Sequence, residues 1–308
     1  MNILVTGARG FVGGHLVNEL QKNNHTVVAA MNNNESSING VTSIVADLSV
    51  EAEVNERVDF SQIDAVIHLA GLAAVGPSFN EPQKYISINA GIEINLFEAC
   101  IKQGFKPKFL IVSSGTLYDP KQTMPLAETA RVIPTSPYAV SKVTQEALAE
   151  YYSNRGFNYV IARPFNHIGP GQNPGFIVPD FAKQIVAVER GETNKISVGN
   201  LQAKRDYTDV RDIVRAYRLL IESDNTDGKT YNICTRNSIS GDEILQTLLS
   251  LTDAKVEIAQ NPDLMRPSDI PEVIGDYNRI KQDIHWEPVI KLNTTLLDSL
   301  NDWRKRIK

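Results

Sequence analysis

Short apolar runs rich in Val and Ile punctuate the first half of the chain, at Ile3–Thr6, Thr26–Ala30, Ser43–Ala46, Ala65–Leu69, Lys108–Ser113 and Tyr159–Ala162. They are continuous rather than alternating, which predicts strands covered on both faces, as in a parallel sheet. Between them, Gly13–Lys22, Ile86–Lys102 and Tyr138–Asn154 repeat their apolar positions at helical spacing. Strands joined by crossover helices predict an α/β fold with a doubly wound parallel sheet. After Arg163-Pro164 the texture changes, because Gly169-Pro170-Gly171 and Asn173-Pro174-Gly175 break the rhythm with turns. Asp209–Ile221 returns to a helix, with Thr208 or Asp209 as its cap. From about residue 234 onward the pattern predicts a smaller unit of helices and strands.

Composition narrows the class without choosing a chemistry. The 308 residues are 42% hydrophobic and 22% charged, with 31 basic and 36 acidic side chains and a formal charge of −5. That length supports one large or two modest domains with a full core. Mild acidity argues against a nucleic-acid partner, whose footprint is a basic stripe. The only basic cluster, Arg304, Lys305, Arg306 and Lys308, fits a solvated helix end. Two cysteines, Cys100 and Cys234, lie far apart with no histidine at ligand spacing, so no metal is expected and a reducing compartment is. The N-terminus lacks a basic, then apolar, leader. The longest apolar run, Ala65 to Val75, falls far short of the ~20 residues of a membrane span. A soluble, cytoplasmic protein with no membrane partner is the expectation.

Ile3-Leu4-Val5 leads directly into Thr6-Gly7-Ala8-Arg9-Gly10-Phe11-Val12-Gly13, and a helix follows. A strand, three glycines at three-residue spacing and a helix N-terminus form a cradle for a dinucleotide pyrophosphate. Gly7 permits the tight turn, Gly10 lets backbone amides approach the phosphates, and Gly13 permits close helix–strand packing. An acidic residue closing the second strand would bind the ribose hydroxyls of NAD. Here Val27-Val28-Ala29-Ala30 ends in Met31 and three asparagines, Asn32 to Asn34. Arg9, inside the turn, can instead face a 2′-phosphate, although a solvent-facing charge is a close competitor. NADP(H) is therefore expected ahead of NAD(H). Asp47-Leu48, after the third strand, can meet the adenine edge or form an ordinary turn.

Ser136-Pro137-Tyr138-Ala139-Val140-Ser141-Lys142 opens a helix and places Tyr138 and Lys142 one turn apart on one face. A free tyrosine titrates near ~10. A neighbouring ammonium and a helix N-terminus should both favour the phenolate and make an acid–base group. Ser113-Ser114 closes the fifth strand at the edge where open sheets bind ligands, so Ser114 can orient a substrate oxygen against Tyr138.

With these motifs in this order, the chain resembles the extended short-chain dehydrogenases/reductases, the family of nucleotide-sugar epimerases, dehydratases and reductases. The resemblance spans essentially the whole chain and includes Thr6-Gly7 to Gly13, Asp47-Leu48, His68-Leu69-Ala70, Ser78 to Asn89, Ser114, Tyr138/Lys142 and Arg163-Pro164-Phe165-Asn166. Residues 163–172, Val198-Gly199-Asn200-Leu201 with Arg205-Asp206, and Arg266-Pro267-Ser268-Asp269 most resemble GDP-4-keto-6-deoxy-mannose reductases.

The resemblance implies a Rossmann-type sheet with a smaller, discontinuous C-terminal α/β substrate domain. The division expected is 1–165 plus 208–233 for the dinucleotide and 166–207 plus 234–308 for the nucleotide sugar, with the active site between. It implies Ser114, Tyr138 and Lys142 as the catalytic set. It implies Gly7, Arg9, Gly10, Phe11, Val12, Gly13, Asp47, Leu48, Leu69, Ala70, Tyr138 and Lys142 around the cofactor. Ser114, Asn166, Asn200, Arg205, Arg266 and Asp269 would face the sugar nucleotide, with Arg205 and Arg266 clamping its diphosphate. An ion pair of Arg205 with Asp206 or Asp209 is the competing reading. His167 is expected to be a packed loop residue, and a homodimer through Ile86–Lys102 and Tyr138–Asn154 is implied.

Departures sharpen the choice. Ser114-Gly115-Thr116 lacks the two carboxylates of Thr-Asp-Glu that family dehydratases carry, which argues against water removal. Asp119 follows Tyr118 where relatives usually have Gly, a change confined to a turn. The leading expectation is NAD(P)H-dependent reduction of GDP-4-keto-6-deoxy-D-mannose to GDP-D-rhamnose. An NDP-sugar 4-epimerase with tightly bound NAD is the alternative, and a non-catalytic NAD(P) sensor ranks below both.

Overall fold

The computed structural model describes residues 1–32, 38, 40–264 and 270–307. Six strands come first: β1 (Asn2–Thr6), β2 (Thr26–Met31), β3 (Thr42–Val45), β4 (Ala65–His68), β5 (Lys108–Val112) and β6 (Tyr159–Pro164). The chain then leaves this sheet for β7 (Asn166–Ile168), β8 (Lys195–Val198) and β9 (Lys204–Asp209), and returns to it as β10 (Thr230–Ile233). Three short strands complete the set: β11 (Ser238–Ser240), β12 (Glu257–Gln260) and β13 (Glu272–Val273). The main sheet has seven strands in the order β10-β6-β5-β4-β1-β2-β3, and every pairing within it is parallel. Strand order reverses between β1 and β4, which sets their carboxyl ends at the crevice where such sheets bind ligands.

The helices are α1 (Phe11–Lys22), α2 (Glu51–Arg57), α3 (Val75–Ser78), α4 (Pro82–Gln103), α5 (Pro137–Ser153), α6 (Ile177–Glu189), α7 (Val210–Glu222), α8 (Gly241–Leu249), α9 (Asn278–Ile284) and α10 (Leu292–Arg306). Continuous apolar strands have both faces covered. Ile3 and Val5 of β1 pack in one core with Leu16 and Leu20 of α1 and Tyr217 of α7, while Leu4 between them packs in another with Phe97 of α4 and Tyr152 of α5. In that second core, the Phe97 ring lies 4.0 Å from Phe109 and 4.3 Å from Tyr152. A separate core joins α6, α8 and α10 through Ile185, Leu245 and Leu300. Around it lie a sheet in which β9 pairs with β7, β11 and β13, and the parallel pair β8–β12. Among the described residues no helix is long and apolar enough to cross a membrane.

Local chemistry sets where elements stop. The expected strand Ala65–Leu69 ends at His68, because the Leu69 and Ala70 amides both donate to Thr6 Oγ1 at 3.0 Å instead of continuing the ladder. Helix α1 begins at Phe11, two residues before the expected Gly13, with Gly10 as its N-cap. Pro137 opens α5, and Ser136 Oγ caps it by accepting from Ala139 N at 3.1 Å. Asp209, rather than Thr208, caps α7 by accepting from Arg211 N at 2.8 Å.

Candidate active site at the crevice

The glycine turn joins β1 to α1 at the β1/β4 crevice. Gly7 has φ +67°, the left-handed region, and an added Cβ would lie 3.0 Å from Ala70 N. A Cβ on Gly13 would lie 2.2 Å from Gly7 O and 2.7 Å from Ala8 Cα, so close packing of α1 against the turn requires glycine. Gly10 N donates to Gly7 O at 2.9 Å, and no side chain caps the first amides of α1. A bare turn and uncapped helix amides fit a pyrophosphate. Phe11 and Val12 are half-buried at the same helix start. Arg9 Nε lies 3.1 Å from Met31 Sδ, which brings the guanidinium over the end of β2, where an acidic residue is missing. Arg9 and Phe11 also line a cleft of about 300 Å³ with His15, Asn18, Gly171 and Asn173. Asp47 forms a turn, its Oδ1 accepting from Ser49 N at 2.9 Å and Ser49 Oγ at 2.7 Å. Leu48 is buried, and its carbonyl accepts from Asn95 Nδ2 at 2.9 Å.

Beside the crevice the structure brings Ser114, Tyr138 and Lys142 together. Ser114 follows β5 and caps a short turn, with Thr116 N 3.2 Å from its Oγ. Tyr138 and Lys142 occupy the first turns of α5, both buried. Lys142 Nζ donates to Val112 O and to Gln145 Oε1, each at 2.8 Å, and lies 5.9 Å from the centre of the Tyr138 ring. One expectation is overturned. Burial pushes the Tyr138 phenol up to about 12, with the nearby Ser114 hydroxyl lowering it and Tyr85 adding to the rise. Lys142 is not among the groups that shift this phenol, and its ammonium donates to Val112 O and Gln145 Oε1. Tyr138 therefore keeps its proton at neutral pH, the state an acid donor needs. Burial lowers Lys142 to about 8, while Glu93 and Glu146 pull it back up.

A polar network behind these residues carries no signal of its own in the hydrophobic pattern. Gln145 Nε2 lies 3.2 Å from His68 Nε2, whose Nδ1 lies 2.9 Å from Thr6 Oγ1. Burial first, and the Lys142 charge second, hold His68 neutral with a pKa of about 3. Asn89 Nδ2 donates to Ser141 Oγ at 2.9 Å, and Ser141 Oγ donates to Tyr138 O at 2.7 Å, which fixes the first turn of α5. The signal that finds this network is polar residues on core-facing helix positions, with Asn89 and Glu93 four apart on α4 and Lys142, Gln145 and Glu146 on α5.

The expected substrate residues are spread over the smaller sheet. Asn166, exposed, pairs with Tyr207 at the start of β7. Asn200 Oδ1 accepts from Gln202 N at 2.9 Å and shapes a turn. Arg205 donates to Ile270 O at 2.7 Å and to Lys204 O at 2.8 Å. The competing ion pair fails: Asp206 accepts from Thr235, Arg236 and Gly275, while Asp209 pairs with Arg211. Arg266 and Asp269, with Asn33 and Asn34, lie outside the described residues. His167, expected in a loop, lies in β7 opposite Thr208 and is packed there, its ring stacked 6.1 Å from Phe11. Asp119 accepts from Lys121 N at 3.0 Å and pairs with Arg131, which makes it a turn residue as expected.

Comparison with known proteins agrees with this geometry. Residues 3–234 match the model of the NAD dependent epimerase/dehydratase family. A GDP-6-deoxy-D-mannose reductase from Pseudomonas aeruginosa is 35% identical over 249 residues, covering 80% of this chain and 82% of the relative. The NADPH complex of RMD from the same organism superposes with a TM-score of 0.87 at 32% identity, covering 99% of both chains. A UDP-glucose 4-epimerase from Thermotoga maritima bound to UDP-glucose gives 0.88 at 30% identity over the full length of both. With its glycine turn, its Ser/Tyr/Lys cluster and its parallel sheet in place, this chain belongs to the NAD dependent epimerase/dehydratase family.

Proposed function

We propose that this chain is an NAD(P)H-dependent reductase of a nucleotide-linked 4-keto-6-deoxyhexose, converting GDP-4-keto-6-deoxy-D-mannose to GDP-D-rhamnose. The observation that carries this reading is Tyr138, a buried phenol in the first turn of α5, gathered with Ser114 after β5 and the buried Lys142 at the crevice. A carbonyl that receives hydride needs a proton on its oxygen, and a neutral phenol supplies it. Ser114 Oγ would orient that oxygen against Tyr138, and Lys142, fixed by Val112 O and Gln145, would hold the cofactor ribose and keep a positive field beside the developing charge. The glycine turn of Gly7, Gly10 and Gly13, with Phe11, Val12, Leu69 and Ala70 around it, would hold the dinucleotide. When bound, the reduced nicotinamide supplies the hydride. Arg9 over Met31 supports NADPH ahead of NADH, and the likeness to an NADPH-bound reductase adds to that support.

The same reading assigns residues 1–165 and 208–233 to the dinucleotide and 166–207 and 234–308 to the sugar nucleotide. Asn166, Asn200, Arg205, Arg266 and Asp269 would contact the substrate. We infer a cytoplasmic homodimer formed through the outer face of α4 and α5. Incubation with GDP-4-keto-6-deoxy-D-mannose and NADPH or NADH, followed by NMR of the product sugar, is the test. Stoichiometric NADPH consumption and a 6-deoxyhexose product with a new 4-hydroxyl are expected. Tight NAD carried through purification, with interconversion of UDP-sugars and no net reductant used, would mean the epimerase reading favoured by the Thermotoga likeness.

A further inference from the structure

A buried acid that the reaction above does not use sits behind the active site. Glu93 has no exposed surface, and neither of its carboxyl oxygens has a hydrogen-bond partner. It lies on α4, the helix that packs most extensively against α5, one turn beyond Asn89, whose carbonyl accepts from the amide of the same Gln145 whose Oε1 accepts from Lys142. An unsatisfied buried carboxyl is costly and uncommon. Glu93 makes no direct ion pair with the Lys142 ammonium, and the two act on each other across the buried seam.

We propose that Glu93 is a positioning residue: its carboxyl and the Lys142 ammonium form one coupled pair across the α4–α5 seam, in which the carboxyl loses its proton first and the resulting anion holds the ammonium charged. The inference rests on the reductase reading, since a charged Lys142 matters because that chemistry uses it.

The surroundings leave Glu93 as the group able to do this. Glu146 also faces Lys142 from α5, but Arg163 of β6 clamps it bidentately, with contacts of 2.7 and 2.6 Å, so its negative charge is already matched. His68 of β4 faces Lys142 and is neutral. Gln145, between them, uses its carbonyl on Lys142 and its amide on His68 and on Asn89 O, and it cannot change charge. Burial drives the Glu93 carboxyl well above the usual range, with Lys142 and then the nearby Gln145 side chain, outside hydrogen-bond distance, opposing and Glu146 reinforcing. Its titration therefore moves toward that of Lys142, the condition under which two sites titrate as a pair. As pH rises, the first proton released to bulk water comes from oxygen rather than nitrogen. The pair then becomes a carboxylate beside an ammonium, and the second loss is postponed.

Glu93→Gln tests this, because a protonated carboxyl and an amide have nearly the same shape and the seam stays filled. The readout is the pH profile of kcat/KM for NADPH-dependent reduction, which a purely structural role would leave in place. The alkaline limb of Glu93→Gln is expected to move about 1 unit or more toward acid, and Glu93→Asp, which restores a carboxyl, is expected to move it back. Infrared spectra of the substrate-free protein give a second readout. The wild type should show a protonated carboxylic acid band that is absent from Glu93→Gln and disappears at lower pH than the alkaline limb. Superimposable limbs for wild type and Glu93→Gln overturn the proposal, as does a wild-type band that outlasts the limb. If Tyr138→Phe turns over normally the reductase reading fails, and the infrared comparison, which needs no substrate, still decides the state of Glu93.

Discussion

At the scale of single residues, burial decides what each group of the site can do. A tyrosine is already protonated at neutral pH, and burial makes the Tyr138 phenol a weaker acid still. Tyr138→Phe removes the proton and little volume, so kcat should fall about 10²–10⁴-fold while NADPH affinity, measured by fluorescence titration, is retained. Lys142 gives a pH prediction with two signs. Its folded value, lowered by burial to about 8, lies below the ordinary lysine value of 10.5. Below about 8 the ammonium is present, and above it kcat/KM should fall, tending to tenfold per unit. Between the two values the unfolded chain binds more protons than the native one, so the contribution of this group to stability rises with pH over the same window. Paired pH series of turnover and of denaturant midpoint should diverge there; parallel declines would assign the alkaline limb to unfolding. Ser114, Tyr138 and Lys142 were legible in the chain because spacing alone puts the last two on one helix face and the first at a strand end. Glu93, Gln145 and His68 were not, since hydrophobic periodicity marks core-facing positions and says nothing of a polar residue placed among them.

At the scale of elements, the turn between β1 and α1 is where chemistry and packing coincide. Gly13→Ala would force its Cβ to within 2.2 Å of the Gly7 carbonyl, so the turn must open or α1 must shift. Overpacking of this kind typically costs about 1–3 kcal/mol, which a lowered denaturant midpoint would register, and NADPH affinity should fall with it. Arg9→Ala leaves the turn intact and removes a charged donor over the end of β2. If the guanidinium meets a 2′-phosphate, NADPH affinity should weaken by roughly 10- to 100-fold, the worth of about 1.5–3 kcal/mol for a charged hydrogen bond, with NADH unchanged. Equal losses for both coenzymes would make Arg9 a general contact. The strands of the large sheet were readable because each is a continuous apolar run with both faces covered. The smaller sheets were not: β13 has two residues, β11 has three, and β8 pairs with β12 from about sixty residues further along, so no local pattern marks them. Their ladders are set by tertiary contacts such as the Asp206 carboxylate, which gathers Thr235, Arg236 and Gly275 into one corner.

At the scale of the whole molecule, the distribution of apolar surface predicts how copies of the chain meet. Ile92, Leu96 and Phe97 of α4 are buried in the chain's own core against the sheet and α5. What α4 and α5 still present outward is smaller: Ile94 is 37% exposed, Val140 37% and Tyr151 55%. These three lie on the two helices that pack most extensively on each other, so a symmetry-related copy would bring four helices together around them. A stable interface needs about 800 Å² from each partner, and a pair of helices of 22 and 17 residues offers a face of that order. Light scattering should therefore give twice the chain mass of 34.1 kDa. Ile94→Asp combined with Tyr151→Glu places a carboxylate at each of the more apolar contacts, where desolvation without a partner is unfavourable. The double variant should elute as a monomer with an unchanged far-ultraviolet spectrum. Because Tyr138 and Lys142 sit on α5 and Glu93 on α4, loss of the partner should also loosen the seam between those helices and lower kcat more than it raises KM. A monomeric double variant with wild-type turnover would place the interface away from the active-site helices, and a dimer that survives both substitutions would move it to another face altogether.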